Sequence, residues 1–175
     1  MKSKFSAFFW TKAAIIASLY ISLTFAQEII FPSTATMAVQ FRLSEVLMVL
    51  SLFTPSAIVG LTAGCFFANF LCLSALPLDM ILGSMATLLA SICMYAGRHL
   101  LIKKMPVIQL LLPAVFNGII IGLEIEIFYI KSDFNFASFL LQAGLVALGE
   151  FVVCFCLGLL FYNKINKSLI KKFII

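Results

Sequence analysis

The sequence predicts an all-α integral membrane protein: six transmembrane helices in one membrane domain spanning residues 1–175, both termini cytoplasmic. Three observations carry this. First, 63% of the 175 residues are hydrophobic and 11% are charged, whereas soluble domains are about one quarter charged. A soluble chain of this size cannot hide so much apolar surface. Second, the apolar runs are continuous and of span length, about 20 residues for a helix, and lack the alternation of membrane β-strands. Third, the basic residues are placed unevenly. With six spans and the N-terminus inside, Lys2, Lys4, Lys12, Arg98, Lys103, Lys104, Lys164, Lys167, Lys171 and Lys172 are cytoplasmic, and only Arg42 and Lys131 lie outside. Five spans would put Arg98, Lys103 and Lys104 opposite the C-terminal lysines, against the positive-inside rule. The net charge of +5 therefore reports topology in a cell membrane, with lipid rather than nucleic acid as the surrounding partner.

The helices are expected at about 8–27, 38–53, 56–76, 79–98, 106–130 and 136–162. The first follows Lys2 and Lys4 and ends near Thr24-Phe25-Ala26, which resembles a signal peptide. Its span length and packing residues favour a retained helix. The second is short, about 24 Å at the α-helical rise. Pro55 separates it from the third, because proline disfavours helix at Thr54 and cannot continue the ladder. The segment around 28–40, with Pro32, Ser33, Thr34 and Thr36, reads as an outward loop.

Small residues mark helix contacts, since helices in lipid associate by close backbone approach. Ala13 and Ala17 form such a pair on helix 1, with Ala14 and Ser18 beside them. Gly60, Gly64 and Ala68 make a ridge on helix 3, and Gly118 and Gly122 a GxxxG on helix 5. The spacing predicts packing within the bundle for helices 3 and 5. For helix 1 it leaves the bundle and a partner protein equally open. The cysteines, Cys65, Cys72, Cys93, Cys154 and Cys156, lie in apolar runs without a CxxC, and His99 is the single histidine. They read as small buried apolar residues, with no metal or cofactor site.

Polar groups inside spans face the bundle interior or water. The candidates are Arg42 and Glu45 on helix 2, Asn69 on helix 3, Asp79 opening helix 4, Asn117 and Glu124 on helix 5, and Glu150 on helix 6. They crowd the outer half and the midplane, which suits capture of an external solute. Asn117 and Glu124, seven apart, share a face, whereas Glu126 points away from Glu124 and reads as interfacial. Each candidate has a second reading. Arg42 and Glu45, three apart, suit an intrahelical ion pair. Asp79 suits an N-cap, and Asn69 and Asn117 suit interhelical hydrogen bonds. Glu150, about 20 Å below the start of its helix and far in sequence from any basic residue, demands a partner. No HExxH, GxSxG, P-loop or catalytic aspartate pair is present, so an enzyme is not expected, and movement driven by ATP needs a separate motor protein.

Several runs carry a family resemblance. Gln40-Phe41-Arg42-Leu43-Ser44-Glu45, Gly64-Cys65-Phe66-Phe67-Ala68-Asn69, the D-x-x-x-G-S-x-A-T-L run from Asp79 to Leu88, Asn117-Gly118, and Gly149-Glu150 followed by Cys154 resemble the QueT family. These are proposed queuosine-precursor transporters and substrate-binding (S) components of energy-coupling factor (ECF) transporters. The likeness runs from about residue 11 to 162. It implies six helices, a substrate site near the outer face, and a 7-deazaguanine ligand: queuine or its aminomethyl or cyano precursors. It also implies a partner face at Ala13 and Ala17 for a transmembrane T component, with two cytoplasmic ATPases completing the complex. A carboxylate, Glu150 or Glu45, would then read the guanine-type edge. S components share a scaffold across ligands, so the alternatives are an S component for a flavin or thiamine, or a small membrane protein outside transport.

Overall fold

The computed structural model describes residues 6–32, 41–71, 78–130 and 133–167. Lys2, Lys4, Lys131, Lys171, Lys172, Cys72 and most of the 28–40 loop lie outside the described residues. Among the described residues six helical segments occur: α1 (Ala7–Ile30), α2 (Leu43–Leu52), α3 (Ser56–Leu71), α4 (Asp79–Ala96), α5 (Val107–Tyr129) and α6 (Phe136–Asn166). Four of them, α1, α4, α5 and α6, are long and apolar enough to cross a membrane. The apolar α2 and α3 are shorter.

The helix breaks follow local chemistry. Between α2 and α3, Pro55 ends one ladder and starts the next: Phe53 and Thr54 donate back to the Leu50 carbonyl at 3.0 and 3.1 Å, and Ile58 donates to the Pro55 carbonyl at 3.2 Å. The α4–α5 connection is a tight turn closed by paired Ile102–Met105 backbone hydrogen bonds of 2.9 Å. Lys103 and Lys104 both take positive φ there, 50° and 66°, as a two-residue primed turn requires. Gln109 donates to the Gly97 and Leu100 carbonyls and ties α4 to α5 at that end. At the opposite end, Asn135 caps α6 by accepting from the Ala137 N–H at 2.9 Å. Glu126 accepts from the Asn135 N–H at 3.0 Å and from Ser138. Buried there, it ties the end of α5 to the start of α6.

α1, α3, α4, α5 and α6 pack side by side in chain order, and α2 lies on their inner side against α1, α3, α4 and α6. The outer faces carry large apolar side chains such as Phe8, Ile15, Phe70, Leu140 and Leu160, as a lipid solvent requires. Two seams of small residues hold this arc together. A Cβ on Gly60 would meet the Ala13 carbonyl oxygen at 2.6 Å, and one on Gly64 would lie 3.2 Å from the Ala17 Cα. A Cβ on Gly122 would lie 2.7 Å from the Ala143 Cα, and one on Gly118 2.9 Å from the Ala147 Cβ. Both glycine ridges thus pack within the bundle, as their spacing predicts.

The first seam also places the Ala13/Ala17 pair. Ala13 is buried against α3 and Ala17 is half-buried beside it. What α1 leaves open is the adjoining flank, where Ala14 and Ser18 are exposed. There the Ser18 hydroxyl returns to the Ala14 carbonyl at 2.9 Å, so that its donor is satisfied by its own helix.

A candidate solute site at the centre of the bundle

α2 is where the structure departs most from sequence expectation. All ten of its residues are wound as a 3₁₀-helix, in which runs beyond three or four residues are uncommon. At about 2.0 Å per residue it covers about 20 Å, still short of the roughly 30 Å apolar layer. It does not begin at the level where α1 ends. It enters beside α1 in three steps. Gln27 accepts from the Leu43 N–H at 2.7 Å and donates to the Phe41 carbonyl. Thr24 donates to Ser44 at 2.9 Å, and Tyr20 donates to the Glu45 carboxylate. Tyr20 lies ten residues before Ile30, about 15 Å along α1. Non-helical backbone at such a depth is tolerated only when protein satisfies its polar groups, and Gln27 does so for Phe41 and Leu43.

This entry moves the charged candidates inward. Arg42 and Glu45 were expected at the outer start of helix 2, with an intrahelical pair as one reading. That pair does not form. Arg42 makes a buried salt bridge to Asp79 of α4, and Glu45 turns to Tyr20 of α1. Asp79 is not the cap of its helix: Leu78 holds the N-cap position and Asp79 is the first residue inside. Its carboxylate is committed to Arg42, and its carbonyl accepts from the Asn69 side chain of α3 at 2.9 Å. Asn69 therefore fulfils its interhelical reading. Gly83, one turn after Asp79, makes room for this group. A Cβ there would lie 3.2 Å from Asn69 Nδ2, 3.4 Å from Asp79 Oδ1 and 3.5 Å from Arg42 Nη1.

Glu150 finds its neighbours across the bundle. The Cys154 thiol lies 3.5 Å from both Glu150 Oε2 and the Glu45 carbonyl. One ligand atom each from Glu45, Glu150 and Cys154 falls within a 4.8 Å span, and all three residues are buried. Arg42 and Asp79 act electrostatically on Glu45, Glu124 and Glu150 alike. Helices α2, α4, α5 and α6 thus contribute charge to one neighbourhood. Asn117 and Glu124 are buried on α5. Asn117 Nδ2 and both Glu124 carboxylate oxygens have no hydrogen-bond partner.

The helices carrying the glutamates change winding at the site. α5 turns π-helical over Ile125–Tyr129, directly after Glu124, and α6 over Phe151–Leu157, directly after Glu150. Single π-turns recur at functional sites. The described bundle thus gathers buried, unpaired polar groups among its helices, Glu124 and Asn117 foremost. A family model described as QueT transporter matches residues 10–167.

The chain belongs to the QueT transporter family.

A curated relative, the queuosine precursor transporter QueT of Lactococcus lactis subsp. cremoris (strain MG1363), is 32% identical over 159 residues, 88% of this chain and 89% of the relative. No solved structure matches. Membership of QueT and the four long apolar helices make this a multi-pass cell membrane protein, and both the family and the relative are transporters.

Within this QueT chain, sequence reading missed Tyr20, Gln27, Gly83 and Cys154. A signal existed for the first two. Ala13, Ile16, Tyr20, Thr24 and Gln27, all buried, recur every three or four residues, so a tyrosine, a threonine and a glutamine share the packed face of α1. Cys154, one turn beyond Glu150, was read as apolar filler.

Proposed function

We propose that the chain is the substrate-capture (S) component of an ECF importer and carries a 7-deazaguanine queuosine precursor inward. In this reading all six helices cross the membrane, with α2 and α3 as the short crossings and both termini cytoplasmic. A T component and two cytoplasmic ATPases supply the motion. Arg42, Glu45, Asn69, Asp79, Asn117, Glu124 and Glu150 form the binding neighbourhood. The T component meets α1 along the exposed Ala14/Ser18 flank, with Ala17 at its margin. Family membership supports the substrate class, and the basic residues near the chain ends and the Lys103/Lys104 turn support the orientation.

The observation that carries the ligand assignment is Glu124. A guanine-type edge offers two parallel N–H groups, which a carboxylate accepts with both oxygens, and a carbonyl, which an amide N–H₂ can meet. Glu45 spends one oxygen on Tyr20, and Glu150 has one beside Cys154. Glu124 keeps both oxygens unpartnered, 1% exposed, and Asn117 Nδ2 on the same helix face is unpartnered too. We therefore shift the edge-reading role from Glu150 or Glu45 to Glu124.

The test is purification of the protein, mass spectrometry of co-purifying small molecules, and thermal shift with queuine, its aminomethyl and cyano precursors, riboflavin and thiamine. A deazaguanine should co-purify or stabilise the protein. Stabilisation by riboflavin or thiamine alone overturns the reading. Replacing Glu124 by Gln should weaken deazaguanine binding about tenfold or more, the worth of a charged hydrogen bond. An unchanged affinity removes Glu124 from the site.

A further inference from the structure

The centre of the bundle has a charge imbalance that edge reading by Glu124 does not resolve. Among the described residues the buried carboxylates are Glu45, Asp79, Glu124, Glu126 and Glu150, and Arg42 is the one buried basic side chain. Arg42 is matched to Asp79. Glu126 is held at the α5–α6 connection by the Asn135 N–H and Ser138. Glu45 and Glu150 remain side by side. Glu45 Oε1 takes the Tyr20 hydroxyl, while Glu45 Oε2 is buried with no partner. Two carboxylates held this close in a medium of low dielectric cannot both stay charged unaided, and they stand together with a shared proton or with a positive charge between them.

We propose that Glu45 and Glu150 form an ammonium subsite that grips a protonated amine on the ligand and selects amine-bearing 7-deazaguanines over uncharged ones. This rests on the deazaguanine reading above and adds to it the group at the other end of the ligand. An ammonium nitrogen about 2.8 Å from each of two carboxylate oxygens joins oxygens about 4.6 Å apart at the tetrahedral angle, and the Glu45–Glu150–Cys154 ligand atoms lie within 4.8 Å of one another. Its three N–H donors meet the two carboxylates and the Glu45 carbonyl, which the Cys154 thiol already approaches at 3.5 Å. Tyr20 fixes Glu45 from the opposite side. The 3₁₀ winding of α2 and the π-turn after Glu150 set the two carboxylates against each other from different helices.

The experiment compares affinities of the full-length chain in lipid nanodiscs for 7-aminomethyl-7-deazaguanine and 7-cyano-7-deazaguanine, ring systems that differ only in that substituent. Wild type should bind the amine about tenfold or more tighter, the scale of one charge-assisted contact. Glu45→Gln and Glu150→Gln should each erase most of this preference, lowering the affinity for the amine far more than that for the nitrile. Equal wild-type affinities overturn the subsite and leave the deazaguanine reading standing, whereas binding of neither ligand overturns both. A preference that survives in both variants also overturns the subsite. So does stabilisation of the wild type by ZnCl₂ or MnCl₂ alone that both variants lose, which assigns the pair to a metal. Should the variants fail to fold, the wild-type affinity ratio decides by itself.

Discussion

The small-residue seams and the central polar neighbourhood solve opposite problems with the same helices. At the Gly60/Gly64 and Gly118/Gly122 seams the helices approach so closely that a single added carbon would clash, with backbone at Gly60 and Gly122 and with a neighbouring Cβ at Gly64 and Gly118. The helices there keep regular α geometry. At the centre, α2 is 3₁₀ throughout, α5 and α6 turn π-helical just past their glutamates, and several buried acceptors are unpaired. Dispersion and close approach hold the seams whether or not a solute is present. The centre carries desolvation costs that its own apolar packing does not offset. A binding protein in lipid can keep such a centre because its seams are independent of it.

The comparison is broken most strongly at the one ion pair that spans the centre. Asp79→Ala should cost about 4 kcal/mol, because it breaks the buried Arg42–Asp79 ion pair. The double variant Arg42→Met/Asp79→Leu should recover most of that stability without recovering ligand binding. Thermal unfolding and ligand titration on the two variants check this, and a stable Asp79→Ala protein would show that Arg42 has another anion. Next comes the seam. Gly122→Val should cost about 2 kcal/mol by overpacking against the Ala143 backbone, with the ratio of affinities for different ligands unchanged wherever the protein still folds. A changed ratio would mean that seam and centre are mechanically coupled. The smallest effect belongs to the rim. Asn135→Ala should cost about 1 kcal/mol, the worth of an N-cap, read as a modest fall in melting temperature with ligand affinity retained.

Much of this was legible in the sequence, for reasons that differ between the two regions. The seams are written in local spacing: glycines four apart lie on one helix face wherever the helix goes. Pro55 likewise ends α2 by its own stereochemistry. The list of central residues was legible as well, since ionisable groups in apolar runs must face inward, and every one of Arg42, Glu45, Asp79, Asn117, Glu124 and Glu150 is buried. Tyr20 and Gln27 escaped notice because their positions look like ordinary packing until a neighbouring chain segment needs their polar ends. The winding of α2 escaped for a similar reason. Nothing in Leu43–Leu52 forbids an α-helix, and its apolar residues suit either form.

By itself the sequence determined the solvent, the all-helical class and the set of polar groups withheld from lipid. These follow from composition, period and the cost of burying charge, all of which act within one helix length. Only the tertiary structure decided who pairs with whom. Arg42 passes over Glu45, three residues away, for Asp79, 37 residues on. Glu45 meets Tyr20 and comes to lie beside Glu150, more than a hundred positions later. A buried charge takes the partner that the packed bundle places in reach, and the glycine seams, together with the deep entry of α2, set that distance.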